Sequence, residues 1–232
     1  MTITATASEA VQINNTITVT LETGATDRTV ILTAASAGTA LSGTYTVQSG
    51  DTTSDLTVAS FTIGTMADTA GNAMTSTTLP SGANIADSKA IVIDTTAPSV
   101  SSVARSGSGT LKSGQTDTVT FTFSESTSNF VVGDVTVSGG ALSSFAGSGS
   151  SYTATFTPTS GASGTASISV AAGVFTDAAG NDNTASSTLS ISYDTQVPSV
   201  SSVARSGSGT LKSGQTDTVT FTFSESTSNF VV

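Results

Sequence analysis

The chain contains no cysteine, no histidine and no tryptophan. Without cysteine there is no disulfide to support a fold and no thiolate nucleophile, and the cellular compartment is left open. Without histidine the commonest general base and the usual zinc and copper ligands are gone. Charge is scarce: 6 Lys plus Arg stand against 16 Asp plus Glu, for a net charge of −10 over 232 residues. So few basic groups leave no electrostatic footprint for nucleic acid or for an anionic membrane surface. No apolar run is long enough to span a bilayer, which excludes direct membrane insertion by a helix. Met1 is not followed by a signal peptide, so an export signal, if used, is expected outside these residues.

What the chain does have is a repeat. Residues Pro98 to Val132 recur letter for letter as Pro198 to Val232, at an offset of 100. That period is too long for a solenoid unit and fits one small domain per copy. The expected organisation is a domain over 1–97, a complete domain over 98–197, and the opening of a further copy over 198–232. The chain is expected to be a window on a longer polymer of domains.

Within the complete copy the hydrophobic period is 2, the signature of half-buried strands. Between Asp117 and Glu125, Val119, Phe121 and Phe123 alternate with threonines. The segments 134–138, 152–157, 165–170 and 187–193 read the same way, with Gly and Ser clusters at Gly139–Gly140, Gly147–Gly149 and Gly161–Gly164 as separators. No stretch sustains a helical period. About seven short strands per hundred residues predict an all-β fold of tandem immunoglobulin-like β-sandwich domains.

The junctions Asp94 to Pro98 and Asp194 to Pro198 share the pattern Asp-Thr-x-x-Pro. Proline fixes φ and biases its predecessor towards extended backbone, so a short, stiff linker is expected. Three landmarks relate 1–97 to the complete copy. Thr2–Glu9 aligns with Thr118–Glu125, Asp68–Asn72 with Asp177–Asn181, and Ile93-Asp94 with Tyr193-Asp194. On this alignment 1–97 is a diverged relative that starts at its second strand. Its first strand would be an unpaired edge, and 198–232 carries the strand that such a domain lacks.

The aligned landmarks are acidic. In an immunoglobulin-type sandwich the Glu125 strand end and the Asp177 loop sit at the end where the chain enters. Asp94, Glu125 and Asp177 are therefore expected to converge, with Asp134 and Asn181 near enough to contribute. Glu9 and Asp68 are the matching positions in 1–97, and Asp194 and Glu225 those of the second junction. Hard oxygen ligands of this kind suit Ca²⁺ better than a transition metal. The alternative for Asp177 is a tight turn in which Asp and Asn bond local backbone. For Glu125 it is a solvated strand end, and for Asp94 a linker charge. The first junction is expected to hold an ion more completely than the second. Asp51 and Asp55 form a weaker pair, a pattern that is more often just a polar turn. Asn14-Asn-Thr16 fits a glycosylation sequon. No nucleophile has a base beside it, and an enzyme is not expected.

The Ser-Glu closing an early strand, Phe175-Thr-Asp-Ala-Ala-Gly-Asn181, and Asp-Thr-x-x-Pro at the boundary resemble the bacterial Ig-like repeats of giant surface adhesins. Residues 1–97, with Tyr45-Thr-Val-Gln-Ser-Gly-Asp51 and Ala90-Ile-Val-Ile-Asp-Thr-Thr-Ala-Pro98, resemble a sister repeat of the same proteins. The resemblance implies an extracellular, calcium-stiffened extender that holds an adhesive domain away from a Gram-negative cell. Its partners would be neighbouring repeats of the same polypeptide. Two other readings stand beside it. One is a filament or surface-layer subunit in which other copies join head to tail by strand donation; the other is a glycan- or protein-binding module.

Overall fold

The computed structural model describes residues 1–231; Val232, the last residue of the second 35-residue copy, lies outside them. Two compact units divide the chain. One is Met1–Ala97 with the short loop Thr176–Asn181, and the other is Pro98–Phe175 with the residues from Asp182 on.

The first unit holds five strands: β1 Thr2–Val11, β2 Thr16–Leu21, β3 Arg28–Thr33, β4 Gly38–Thr44 and β5 Val58–Ile63. They form one antiparallel sheet in the order β1-β4-β3-β2-β5. In β2 the alternation is complete, with Ile17, Val19 and Leu21 buried between half-exposed threonines. Branched apolar residues at every second position give the sheet one dry face. Leu32, Leu41 and Leu56 sit on that core with almost no exposure. The other layer is largely irregular chain, which contributes Met66, Ile85, Ile91 and Ile93. Its single helical turn, α1 Ile85–Ser88, is capped by Asn84, whose Oδ1 accepts from the Ile85 amide at 2.7 Å.

The second unit opens with seven strands: β6 Val100–Arg105, β7 Leu111–Lys112, β8 Asp117–Thr127, β9 Val135–Ser138, β10 Gly140–Pro158, β11 Ser163–Val170 and β12 Leu189–Asp194. Two sheets result, β10-β8-β6 and β7-β12-β11-β9. This is the all-β sandwich that the alternation predicts. Val119, Phe121 and Phe123 face inward from β8, opposite Ala166, Ile168, Val170 and Ile191. A fully buried Phe contributes on the order of 2–3 kcal/mol of hydrophobic free energy.

Two features differ from the expectation. Gly147–Gly149 does not end a strand but lies inside the 19-residue β10. The ladder with β8 shifts register between Gly149 and Ser151. A Cβ on Gly147 would stand 2.4 Å from the Ser151 carbonyl oxygen, so only glycine passes this irregularity. Secondly, Phe130 belongs to no strand and yet is 3% exposed. Its ring contacts Phe121, Phe123, Phe145, Tyr152 and Phe175 at centroid distances of 4.8–5.6 Å. With no Cys or Trp, this aromatic cluster anchors the sandwich core.

The second 35-residue copy forms β13 Val200–Arg205 and β14 Val219–Phe223. Their register, Val203 opposite Phe221, is that of Val103 opposite Phe121 in the first copy. No described helix is long and apolar enough to cross a membrane.

Candidate metal centre

The loop Asp177–Asn181 closes on its own aspartate. Oδ1 of Asp177 accepts from the amides of Gly180 (2.7 Å) and Asn181 (2.9 Å), and Oδ2 from the Asn181 side chain (2.8 Å). Gly180 supplies the turn with φ +94°, a conformation that other residues rarely adopt. Asp177 is 7% exposed. Burial works against its ionisation, but the bonds from Asn181 and from the amides of Gly180 and Ala179 outweigh it. Its carboxyl is held below the ordinary Asp value. Asp177 thus closes a tight turn while its carboxyl stays held towards the charged form.

Asn181 Nδ2 also donates to the backbone carbonyl of Asp94 at 3.1 Å. Asp94 in turn accepts the Thr96 amide on its side chain at 2.9 Å, an Asx turn that sets the course of the chain towards Pro98. One carboxylate oxygen from each of Asp94, Glu125 and Asp177 lies within 4.8 Å of the other two. Ca²⁺ binds oxygen at 2.3–2.6 Å, so ligands across its coordination sphere stand about 5 Å apart. The three oxygens fit one such sphere, and with no nitrogen or sulfur donor the set suits a hard cation. Asp94, Glu125 and Asp177 would hold it.

Among the described residues this is the one group of three such side chains. Asp134 is not part of it: its carboxylate accepts the Val131 amide at 2.8 Å and closes a short 3₁₀ turn, Val132–Asp134. Asn181 points its amide at Asp177 and Asp94, which makes it an orienting residue. In the first unit Asp68 repeats the turn, accepting from Ala70, Asn72 and the Asn72 side chain. Glu9 is exposed on β1, and Asp194 accepts the Gln196 amide at 3.2 Å. Glu225 follows β14, half-buried.

Asp51 and Asp55 do not converge as ligands. Asp51 is buried in an ion pair with Arg28 (2.7 Å) and accepts from the Tyr45 hydroxyl (2.5 Å) and the Gln48 amide (2.8 Å). The Tyr45 bond is the largest influence holding the Asp51 carboxyl below its ordinary value. Burial, aided by Asp51, pushes the tyrosine up to about 12. Asp55 accepts the Ile91 amide.

Two groups escaped the sequence reading. Arg105 pairs with Asp117 at 2.5 Å, and Asp117 also accepts from Ser106 and Gly107. The recurrence of the same Arg and Asp as Arg205 and Asp217, at 2.7 Å, was the available signal. The linker threonines were also missed. Thr95 bonds the Asp51 carbonyl (2.9 Å) and accepts from the Gly50 amide. Thr195, 4% exposed, bonds the Thr159 carbonyl (2.6 Å) and accepts from the Ala162 amide.

Residues 94–193 match the family model of a bacterial Ig-like domain. The matched bacterial Ig-like segment contains Asp94, Glu125 and Asp177 together. No curated protein and no solved structure matches the chain.

Proposed function

We propose that this chain is a non-catalytic extender, a stretch of a large repetitive bacterial cell-surface adhesin in which Ca²⁺ stiffens the junctions between repeats. The observation that carries the reading is the approach of the Asp94, Glu125 and Asp177 oxygens to within 4.8 Å. Asp94 belongs to the linker pattern, whereas Glu125 and Asp177 belong to a strand end and a loop of the bacterial Ig-like segment. A cation held by all three ties the linker to those loops; without it, like charges repel. The identical 35 residues at an offset of 100 support an array of such repeats. The scarcity of basic residues and the lack of His and Cys support a role that is mechanical, not chemical.

Small-angle scattering in millimolar Ca²⁺ and in excess chelator tests this. The expected result is a longer maximum dimension and a narrower distribution with calcium. An equally extended particle in chelator would overturn the stiffening role.

A further inference from the structure

Both linkers are fastened to the unit that the chain is leaving, and in both the fastening residue is the threonine of Asp-Thr-x-x-Pro. Thr95 Oγ1 donates to the Asp51 carbonyl at 2.9 Å and accepts the Gly50 amide at 3.0 Å. Thr195 Oγ1 donates to the Thr159 carbonyl at 2.6 Å and accepts the Ala162 amide at 3.0 Å. The receiving turns share a Ser-Gly core, Ser49-Gly50 and Ser160-Gly161, although the residues around it differ. Both glycines take positive φ, +89° and +66°, the conformation that lets so tight a turn close.

In the first unit the receiving turn is a fixed point. Asp51 is fully buried, and its carboxylate accepts from Arg28 Nε, the Tyr45 hydroxyl and the Gln48 amide. On the other side of Asp94, Ile93 and Thr53 exchange both backbone hydrogen bonds, at 2.8 and 2.9 Å. Asp94 is therefore held on both flanks, by Ile93 before it and by Thr95 after it. Release of either flank lets the backbone of Asp94 rotate and swings its carboxylate away. A ligand group stays in place only while its supporting shell holds it.

We infer that the linker threonine is a latch whose hydroxyl positions the acidic residue before it: Thr95 for Asp94, and Thr195 for Asp194. Thr95 is a positioning residue and not a ligand, since its one proton and a lone pair are engaged by the turn. The latch itself needs no ion. Its effect on affinity rests on the calcium reading proposed above.

Residual dipolar couplings of the 232-residue chain in excess chelator test the latch alone. The N–H vectors of Asp94 and Thr95 are expected to fit the alignment of the first unit in the parent and in Thr95→Ser, which keeps the hydroxyl. In Thr95→Val, which keeps the shape and loses both bonds, they are expected to shrink towards zero; Thr95→Ala serves if the valine does not pack. Couplings that stay at parent values would overturn the inference. Titration calorimetry then reads the consequence for the metal centre. Thr95→Val is expected to weaken calcium binding about tenfold, the usual cost of losing a ligand-orienting partner. Thr95→Ser should restore the affinity, and Thr195→Val, the same lesion at the other linker, should leave it unchanged. Parent affinity in Thr95→Val would overturn the positioning role, as would an equal loss in Thr195→Val, which marks a general loosening. A parent chain that binds no calcium would overturn the calcium reading, and the couplings would still decide the latch.

Discussion

Asn181 donates from one side-chain amide to the carboxylate of Asp177 and to the backbone carbonyl of Asp94, at 2.8 and 3.1 Å. A single residue therefore orients one acidic group and fixes the backbone of another. Replacing it with Ala removes both bonds while leaving the three carboxylates in place. Asn181→Ala is expected to weaken calcium binding about tenfold or more, the usual cost of losing a ligand-orienting partner. Titration calorimetry of the variant against the parent chain reads this directly; unchanged affinity would separate the asparagine from the ion.

Calcium itself should raise the melting temperature. With affinity in the range of extracellular modules, roughly 10⁻⁴ M, calcium at a hundred times that value adds about 2.7 kcal/mol. Glu125→Gln removes one charge of three and is expected to abolish most of the gain. Calorimetry with calcium and with chelator checks both statements. Magnesium should substitute poorly, because it demands a tighter octahedral shell.

The two copies allow one substitution to be read in two surroundings. Phe121 is fully buried, whereas Phe221, in an identical sequence, is 39% exposed. Phe121→Ala is expected to cost about 3–5 kcal/mol and Phe221→Ala well under 1 kcal/mol at dilute concentration. Urea unfolding of the two variants measures the difference, which no local property of the sequence can produce.

That contrast also shows where sequence reading stops. Alternation identified the inward residues of β8 and β11, because a period of 2 is imposed by the strand itself. The approach of Asp94, Glu125 and Asp177 followed from motif spacing and the connectivity of a sandwich. Phe130 could not be placed, since its burial is set by five rings from distant parts of the chain. The glycines at 147 and 149 read as a turn because a local pattern cannot distinguish a break from an irregularity inside a long strand. Arg28–Asp51 was hidden because it closes through tertiary structure, whereas Arg105–Asp117 was marked only by its recurrence as Arg205 and Asp217. Asp134 lies outside the group of three, and its carboxylate closes a 3₁₀ turn.

The acid and alkaline limits have different owners. Asp117 and Asp177 have folded values below the ordinary 3.8, so the unfolded chain binds more protons in that range. Their contribution is complete above the ordinary value and drains as the pH falls through it towards the lowered ones. Tyr45 is the reverse: it is raised from 10.0 to about 12, so its contribution holds below pH 10 and is lost as pH climbs through that interval. Melting temperature against pH should fall at both ends, and Tyr45→Phe should remove the step between pH 10 and 12. A step that survives the substitution would assign it elsewhere.

Loss of the linker hydroxyl should be felt without any ion. Thr195→Val leaves the Ala162 amide and the Thr159 carbonyl without the partner that Oγ1 provides. A cost of about 1–3 kcal/mol is expected in chelator as well as in calcium, measured by urea unfolding.

The β13–β14 hairpin bears on how two identical 35-residue segments in one chain would pair. If 35 residues reach their register without the rest of a repeat, each copy offers a finished lid as soon as it leaves the ribosome. An identical lid from the neighbouring copy fits the same sheet equally well, so tandem identity creates a rival for every correct pairing. Synthesis from the N-terminus decides the contest by timing, since residues 98–132 are in place before 198–232 exist. Refolding the whole chain from denaturant removes that advantage. Exchanged pairings are therefore expected to appear in refolded material and not in material folded during translation.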